Sequence, residues 1–442
     1  MPREAVTVAK FGGSSLSEPV RFQKALDVVR ADERRRFVVV SAPGKRDAGD
    51  RKVTDMLYAC YEAAQNANEA EFTGLFEKIK ERFETIRRAL CPGLDLTEDY
   101  ETIKVSFRRR MGRDYAASRG EYLNGKLAAA CLGYAFVDPA DCVFFKDDGA
   151  FDAERTNEAL HTRLSAEERA VIPGFYGSMP NDTIRTFTRG GSDVTGAIVA
   201  RAVDALLYEN WTDVDGFLMA DPHIVRDPKL ISTITYHELR ELSYMGATVL
   251  HEDAVLPVRM AGIPILIKNT EHPEAPGTMI LPRREGSEGC VITGIAGRKG
   301  FSALTVEKDM MNGELGFVRR ILEVFEEYGI NFEHMPTGID GVTLVAPTEQ
   351  LSGKRTAVLA AICRAAKPES VEIRDGLALI AVVGSGMGRD LPALSKVFEA
   401  LAGAGIPVLL TNRSMAENNV IVGVDTARFE EAIRAIYAIF EK

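Results

Sequence analysis

The chain has 442 residues, 46% of them hydrophobic and 27% charged, with a formal net charge of −10 at pH 7. That length and apolar content suit two or three domains with true cores, and the acidic balance excludes a general nucleic-acid binder, whose surface must neutralise phosphates. Cys60, Cys91, Cys131, Cys142, Cys290 and Cys363 are scattered without a CxxC pair, so neither a zinc site nor a disulfide framework is expected; the opening MPREAVTVAK carries no secretory h-region, and no run reaches the roughly 18 apolar residues of a membrane span. A soluble protein of the reducing cytoplasm, with no nucleic-acid or membrane partner, is expected.

In chain order, short apolar runs (VTVA from residue 6, FVVVSA at 37–42, AVIPGFYG at 170–177, ALLYENW at 205–211, IPILIKN at 263–269) alternate with helical stretches. This alternation predicts an α/β fold with a mostly parallel sheet. The first helix starts at Ser17-Glu18-Pro19 and repeats Phe22, Ala25, Leu26 and Val29 on one face. Residues from about 54 to 131 are charged and helix-rich, a helical excursion from the sheet. The stretch LPRREGSEG at 281–289 reads as a linker, after which the sequence repeats at an offset of 76 residues: Phe301 matches Leu377, Leu304 matches Ile380, Met311 matches Met387, and Gly329-Ile330 matches Gly405-Ile406. Each copy reads strand, turn, amphipathic helix, Gly-Ile, strand, strand, which predicts a pair of small βαββ modules.

Four clusters carry candidate chemistry. VAKFGGSSL, at 8–16, sets Lys10 on a strand end before Gly12, Gly13 and Ser14; a Gly pair between strand and helix lets backbone amides approach a phosphate, although it also serves as a plain βα turn with a solvated lysine. TRGGSDVTG, at 188–196, places Arg189 beside glycines, with Ser192 and Asp193 at a helix start. A guanidinium there can grip a carboxylate with two hydrogen bonds, while Asp193 could serve as an N-cap. In YENWTDVDGFLMADP, at 208–222, Thr212 and Asp213 end a strand where an open α/β sheet meets nucleotides. SRGEYLNGKLAA, at 118–129, mimics GxxxxGK, but Leu127 replaces the hydroxyl that binds Mg²⁺ and no strand precedes it, so a P-loop is rejected; Glu121 within it is a candidate partner for a substrate ammonium. GSGMGR, at 384–389, breaks GxGxxG at Arg389 and reads as a module turn.

Taken in order, KFGGSSL, SRGEYLNG, RGGSDVTG, NWTDVDGFLMADP and YMGATVLHEDAV closely resemble the aspartate kinases, and the C-terminal repeat resembles their paired ACT regulatory modules. The resemblance implies an amino-acid-kinase (carbamate-kinase-like) domain over 1–283, a mostly parallel sheet sandwiched by helices. A linker over 284–300 and two α+β, ferredoxin-like ACT modules follow, 301–370 completed by 425–442, and 371–424. It implies transfer of the ATP γ-phosphoryl group to the side-chain carboxylate of L-aspartate at the head of lysine, threonine and methionine biosynthesis, with Mg²⁺ bound mainly through the phosphates. By the family pattern Lys10 and Asp193 are catalytic. Thr54, Glu121, Arg189, Gly190, Gly191 and Ser192 hold the amino acid, and Lys10, Phe11, Gly12, Gly13, Ser14, Thr212, Asp213, Leu218, His223 and Thr248 face the nucleotide. His223 and Thr248 depart from the family's Arg and Lys. Met311, Glu314, Gly316, Val318, Phe332, Glu333 and Thr337 are the implied contacts of an amino-acid effector, lysine or threonine, although Gly316, Phe317 and Val318 could merely be module packing; a homodimer or larger assembly through the ACT modules is expected. Two alternatives stand beside this reading. A kinase of another carboxylate such as glutamate is disfavoured by WTDVDG and the paired repeat; an amino-acid sensor with a lapsed kinase domain is motivated by His223 and Thr248 and opposed by Lys10, Glu121, Arg189 and Asp193.

Overall fold

The computed structural model describes residues 6–188, 190–247, 250, 252–283, 291–385, 387, 391–413 and 418–440. They fall into two compact units, one of Met1–Phe217, Leu230–Tyr236 and Val249–Arg284, the other of Leu218–Lys229, His237–Thr248 and Glu285–Lys442.

The first unit begins with β1 (Thr7–Phe11), α1 (Pro19–Arg30) and β2 (Arg35–Val40), followed by four helices, α2 (Val53–Gln65), α3 (Glu69–Leu90), α4 (Thr97–Arg108) and α5 (Arg113–Leu132). It continues through β3 (Ala135–Phe136), α6 (Ala153–Ser165), β4 (Ala170–Pro173), the hairpin β5 (Tyr176–Ser178) and β6 (Ile184–Thr186), α7 (Gly191–Ala202), β7 (Leu207–Thr212) and β8 (Thr233–Thr235). Helix α8 (Tyr236–Tyr244) belongs, after its first residue, to the second unit, and α9 (Glu252–Ala261), β9 (Ile265–Asn269) and β10 (Thr278–Leu281) complete the first.

Its main sheet has the order β3-β4-β2-β1-β7-β9-β10-β8, parallel except where β10 runs against β9. The central strands are buried on both faces because helices cover both, which is why they read as largely apolar runs, broken by the buried Lys10 of β1 and Glu209 and Asn210 of β7. Pro19 opens α1, whose Phe22, Ala25, Leu26 and Val29 are buried. The helical excursion comprises α2 to α5, packed around Phe72, Phe76, Phe83 and Phe107. Helix α5 is buried almost all round, and its glycines are contact points: a Cβ at Gly120 would lie 2.7 Å from the Ala42 Cβ, and one at Gly125 would lie 2.6 Å from the Pro173 ring. The P-loop lookalike thus sits inside a helix. The strands of this unit missing from the sequence reading, β3, β6, β8 and β10, are two to four residues long, too short to show a periodicity.

The second unit contains β11 (Val291–Glu307), α10 (Phe317–Glu327), β12 (Gly341–Pro347), α11 (Thr348–Leu351), α12 (Arg355–Ala366), β13 (Ser370–Ser385), α13 (Leu391–Gly403), β14 (Leu410–Asn412), β15 (Asn419–Asp425) and α14 (Phe429–Phe440). One antiparallel sheet, β12-β11-β13-β15-β14, runs through both modules. The repeat is present: Leu304 and Ile380 are both fully buried strand residues, and Phe301 pairs directly with its own repeat equivalent, Leu377.

The expected domain limits need three corrections. Residues 291–300 are not linker but the first half of β11, paired with the second half of β13; residues 284–290 lie outside the described residues. The 425–442 stretch does not complete the first module, because α14 buries Phe429, Ile433 and Ile436 in one cluster with Ile380, Val397 and Leu401 of the second. The first module is closed by Val371 and Ile373 of β13 against Leu304 and Ile362. Finally, Leu218–Lys229 and His237–Thr248 group with the second unit. Ala220 and Val225 join the cluster of Ile292 and Ile295, the Ile295 amide donates to the Met219 carbonyl at 2.7 Å, and the Thr293 hydroxyl donates to Glu238 at 2.7 Å. Truncating the fully buried Ile436 to alanine is expected to cost about 2–5 kcal/mol, read as a lower urea midpoint by far-UV circular dichroism, although α14 is the last element among the described residues.

Candidate active site

Lys10 lies on β1, the strand hydrogen-bonded to β7, in register with Asn210. Side chains alternate between the faces of a strand. Ala9, Phe11 and Trp211 enter the apolar cluster on one face, with the Phe11 and Trp211 rings stacked at 6.1 Å, while Lys10, Tyr208 and Asn210 face α7. Only 6% of Lys10 is exposed, and an ammonium so buried needs a counter-charge. Asp193, in the first turn of α7, supplies it as a direct ion pair. Asn210 Nδ2 donates to Asp193 Oδ1 at 2.8 Å, Lys10 Nζ donates to Asn210 Oδ1 at 3.4 Å, and the Tyr208 hydroxyl donates to the Asp193 carbonyl at 3.1 Å. Gly196 lets α7 come this close, since a Cβ there would lie 2.5 Å from the Tyr208 oxygen.

Past Phe11, the Gly12 amide donates to the Trp211 carbonyl at 2.9 Å and the Gly13 carbonyl accepts from the Gly44 amide at 2.7 Å. Both glycines of that second contact are dictated by space: a Cβ at Gly13 would lie 2.6 Å from the Ala42 carbonyl oxygen, and one at Gly44 would lie 2.7 Å from the Gly13 carbonyl carbon. The amides of Gly13 and Ser14 make no hydrogen bond among the described residues, so this turn offers N–H donors to an anion. The glycines do not run straight into a long helix, as their sequence context implied; a single 3₁₀ turn, Ser14–Leu16, intervenes and α1 starts at Pro19.

The 41–44 segment joins this turn to α5. Asn124 Nδ2 donates to the Ser41 carbonyl at 2.6 Å, and Arg82, itself buried, donates to the Gly44 carbonyl and to Asp50, each at 2.7 Å. Glu121 lies on the same helix, 5% exposed, with Oε2 lacking any partner. Burial pushes its carboxyl up to about 8, against the lowering influence of the Ala42 amide and of Arg119. Thr54 is half-buried in the first turn of α2, next to Val53, whose amide donates to the Pro43 carbonyl at 3.4 Å. Lys10, Gly12, Gly13, Thr54 and Glu121 are thereby assembled around one short segment.

Ser192 is buried in the first turn of α7, where a Cβ on Gly174 would lie 2.6 Å from its side chain. Gly190 caps the helix at φ 56°, and Gly191 leaves room for Phe175. Thr212 ends β7, its hydroxyl donating to Asp213 at 3.2 Å and its carbonyl accepting from the Thr270 amide at 2.9 Å. Leu218 and His223 belong to the second unit, the His223 amide being held by Asp221 at 2.8 Å. Arg189 and Thr248 lie outside the described residues.

Of the implied effector contacts, Met311 is buried in the core of the first module, beside Phe317 and Ile330, and is packing rather than surface. Gly316 caps α10 at φ 78°, and Val318 packs against the same core. Glu314 is paired with Lys308 at 2.5 Å and with Arg320. Glu333 accepts from the Tyr244 hydroxyl, and its amide donates to the Val345 carbonyl at 2.7 Å; Phe332 and Thr337 are exposed. Sequence reading missed Asn210, Asn124, Gly44 and Gly174. The glycine in SAPGK was a visible signal for Gly44, but its partner, Gly13, is supplied only by the fold.

A family described as "Amino acid kinase family" matches residues 5–269, and one described as "ACT domain" matches 380–440. Aspartokinase 3 of Bacillus subtilis is 37% identical over 448 residues, 98% of each chain. The crystal structure of Clostridium acetobutylicum aspartate kinase superposes with a TM-score of 0.91 at 45% identity, covering 99% of this chain and 100% of that one. E. coli aspartokinase III, solved with lysine and aspartate, shares the fold at a TM-score of 0.74 and 24% identity over 99% of this chain and all of its own. The chain belongs to the amino acid kinase family and, within it, to the aspartate kinases. Gly13→Ala is expected to cut turnover at least about tenfold, because overpacking of roughly 1–3 kcal/mol falls on the turn that adjoins Lys10; steady-state kinetics on the folded variant checks this.

Proposed function

We propose that this chain transfers the γ-phosphoryl group of ATP to the side-chain carboxylate of L-aspartate, giving 4-phospho-L-aspartate for lysine, threonine, methionine and diaminopimelate synthesis. The observation that carries the mechanism is the buried Lys10 ammonium, paired with Asp193 beside a glycine turn in which the Gly13 and Ser14 amides make no hydrogen bond among the described residues. An ionised carboxylate is already a nucleophile, so the reaction requires positioning and charge neutralisation rather than a general base. Lys10 stabilises the phosphoryl group in flight, Gly12, Gly13 and Ser14 line its path, and Thr212 and Asp213 face the nucleotide; the Phe11 ring, expected there too, is instead buried against Trp211 on the opposite face of the strand.

Among the described residues no group of three or more His, Cys, Asp or Glu gathers to hold a metal, and Asp193 is engaged by Lys10 and Asn210. In this reading Mg²⁺ enters as part of the substrate, MgATP, held mainly through the phosphates. Thr54, Glu121, Arg189, Gly190, Gly191 and Ser192 receive the amino acid, with the orphaned Glu121 oxygen meeting its ammonium and Arg189 its α-carboxylate. An amino acid of the same biosynthetic family, lysine or threonine, acts as effector through the paired modules, at Glu314, Gly316 and Val318 and along 332–337, and the modules join copies of the chain in a homo-oligomer.

Hydroxylamine trapping of the acyl phosphate tests the reaction. Hydroxamate from aspartate and none from glutamate is expected, and Lys10→Ala should lower turnover by about two to three orders of magnitude; no hydroxamate from either acid would overturn the reading.

Glu121 supplies a second, independent check. In the free enzyme it holds its proton up to about pH 8, well above its ordinary 4.5, whereas the ammonium calls for the carboxylate. The KM for aspartate should fall as pH rises from 6 to 8, by up to about tenfold per unit, and level off above. Glu121→Gln should raise that KM and abolish its pH dependence while leaving the KM for ATP within about twofold. Folding stability moves the opposite way: the unfolded chain releases this proton near 4.5, so stability falls as pH rises from there through about 8.

A further inference from the structure

Asn210 stands in β7 between Glu209 and Trp211, on the strand face it shares with Tyr208, and it is 4% exposed. Asparagine is depleted in strands, and burying its amide is unfavourable unless both ends are bonded. Both are. Its oxygen accepts from Lys10 Nζ at 3.4 Å and its nitrogen donates to Asp193 Oδ1 at 2.8 Å. The orientation of the amide is forced: an ammonium only donates and a carboxylate only accepts, so the flipped amide would face like with like at both ends.

We propose that Asn210 is a positioning residue for phosphoryl transfer, a neutral clamp that closes the Lys10 and Asp193 ion pair into a three-membered ring of hydrogen bonds. The inference rests on Lys10 being the catalytic cation. A two-member pair leaves the lysine, with its four-carbon stem, free to swing about one oxygen. With Asn210 added, one ammonium hydrogen is committed to Asp193 and another to the amide, and the remaining N–H has a fixed direction. Gly12 borders that ammonium, since a Cβ on Gly12 would lie 3.8 Å from Nζ, so the uncommitted donor is held at the turn where the amides of Gly13 and Ser14 are also uncommitted. Asn210 also fixes Asp193 from the sheet side while Tyr208, two residues earlier on the same strand face, fixes the backbone carbonyl of the same aspartate. A single strand therefore sets both the carboxylate and the start of α7. An apolar residue of the same size would pack there without setting either group.

Two near-isosteric variants separate this role from packing. Asn210→Leu retains volume and removes both hydrogen bonds: kcat should fall at least about tenfold, with the KM values for aspartate and ATP within about threefold and the thermal midpoint close to the parent's. Asn210→Asp retains shape and gives a pH signature. A protonated carboxyl both donates and accepts, as the amide does, and the adjacent Asp193 carboxylate raises the new group's pKa. The ratio of its kcat to the parent's should accordingly fall as pH rises across about 5.5 to 8.5, the new group then being a second anion against Lys10. A residue that merely packs would shift the thermal midpoint and leave the pH profile of kcat unmoved. Lys10→Ala, assayed beside them for hydroxamate formation, separates the two claims. If Lys10→Ala is inactive while Asn210→Leu keeps kcat within twofold of the parent and Asn210→Asp keeps its pH profile, the clamp is wrong and the catalytic lysine stands. If Lys10→Ala retains turnover, both fall together.

Discussion

A lysine ammonium placed inside an eight-stranded sheet is the constraint around which the first unit is organised. Water cannot neutralise it, so an aspartate must come to it, and the aspartate arrives on the first turn of α7. That helix can approach only because Gly196 passes the Tyr208 ring and Gly174 passes Ser192. The same steric economy recurs on the other side of the lysine, where Gly13 and Gly44 let two backbone segments meet through one 2.7 Å hydrogen bond. Charge burial in the sheet and glycine at each crossing are two aspects of one requirement, a fixed cation beside exposed backbone amides.

Around that centre two ionisable side chains meet different physics. Glu121 sits in a dry pocket with an orphaned oxygen and holds a proton at neutral pH, so its environment is unfavourable for its own charge until a cation enters. Lys10 is the reverse case, a charge whose partners are already in place. Arg82, tying the Gly44 carbonyl to Asp50, links the glycine contact to the helical excursion. This gives those helices a role beyond bulk: through Asn124 and Arg82 they hold the 41–44 segment against the glycine turn.

Much of this was legible in the sequence, and for physical reasons. Central parallel strands are buried on both faces, so VTVA, FVVVSA and IPILIKN announced themselves, and Pro19 marked its helix. KFGGSSL and RGGSDVTG are contiguous signals because each is a turn with its own chemistry. What stayed hidden depends on long-range register. Asn210 looks like any polar residue of YENWTD until β7 is laid beside β1, and the Gly13 to Gly44 contact belongs to neither motif. The module boundary misled for a related reason: the repeat identifies equivalent residues but not which half of a long strand pairs with which, so α14 was assigned to the wrong core.

The pairing of Phe301 with Leu377 has a mechanical meaning. Each residue is the other's counterpart in the repeat, so the pseudo-twofold axis of the module pair passes between them, through the hydrogen-bond ladder itself. β11 and β13, at 17 and 16 residues, each span roughly 50 Å and serve as half a sheet for each module in turn. Both strands run on through that axis, but the ladder shifts register on either side of the Phe301 and Leu377 pair, and Gly300 at φ 91° and Gly376 at φ 81° sit beside it. The floor beneath α10 and α12 therefore meets the floor beneath α13 and α14 at a glycine-relieved kink in two shared strands, a joint built into the sheet rather than into a loop.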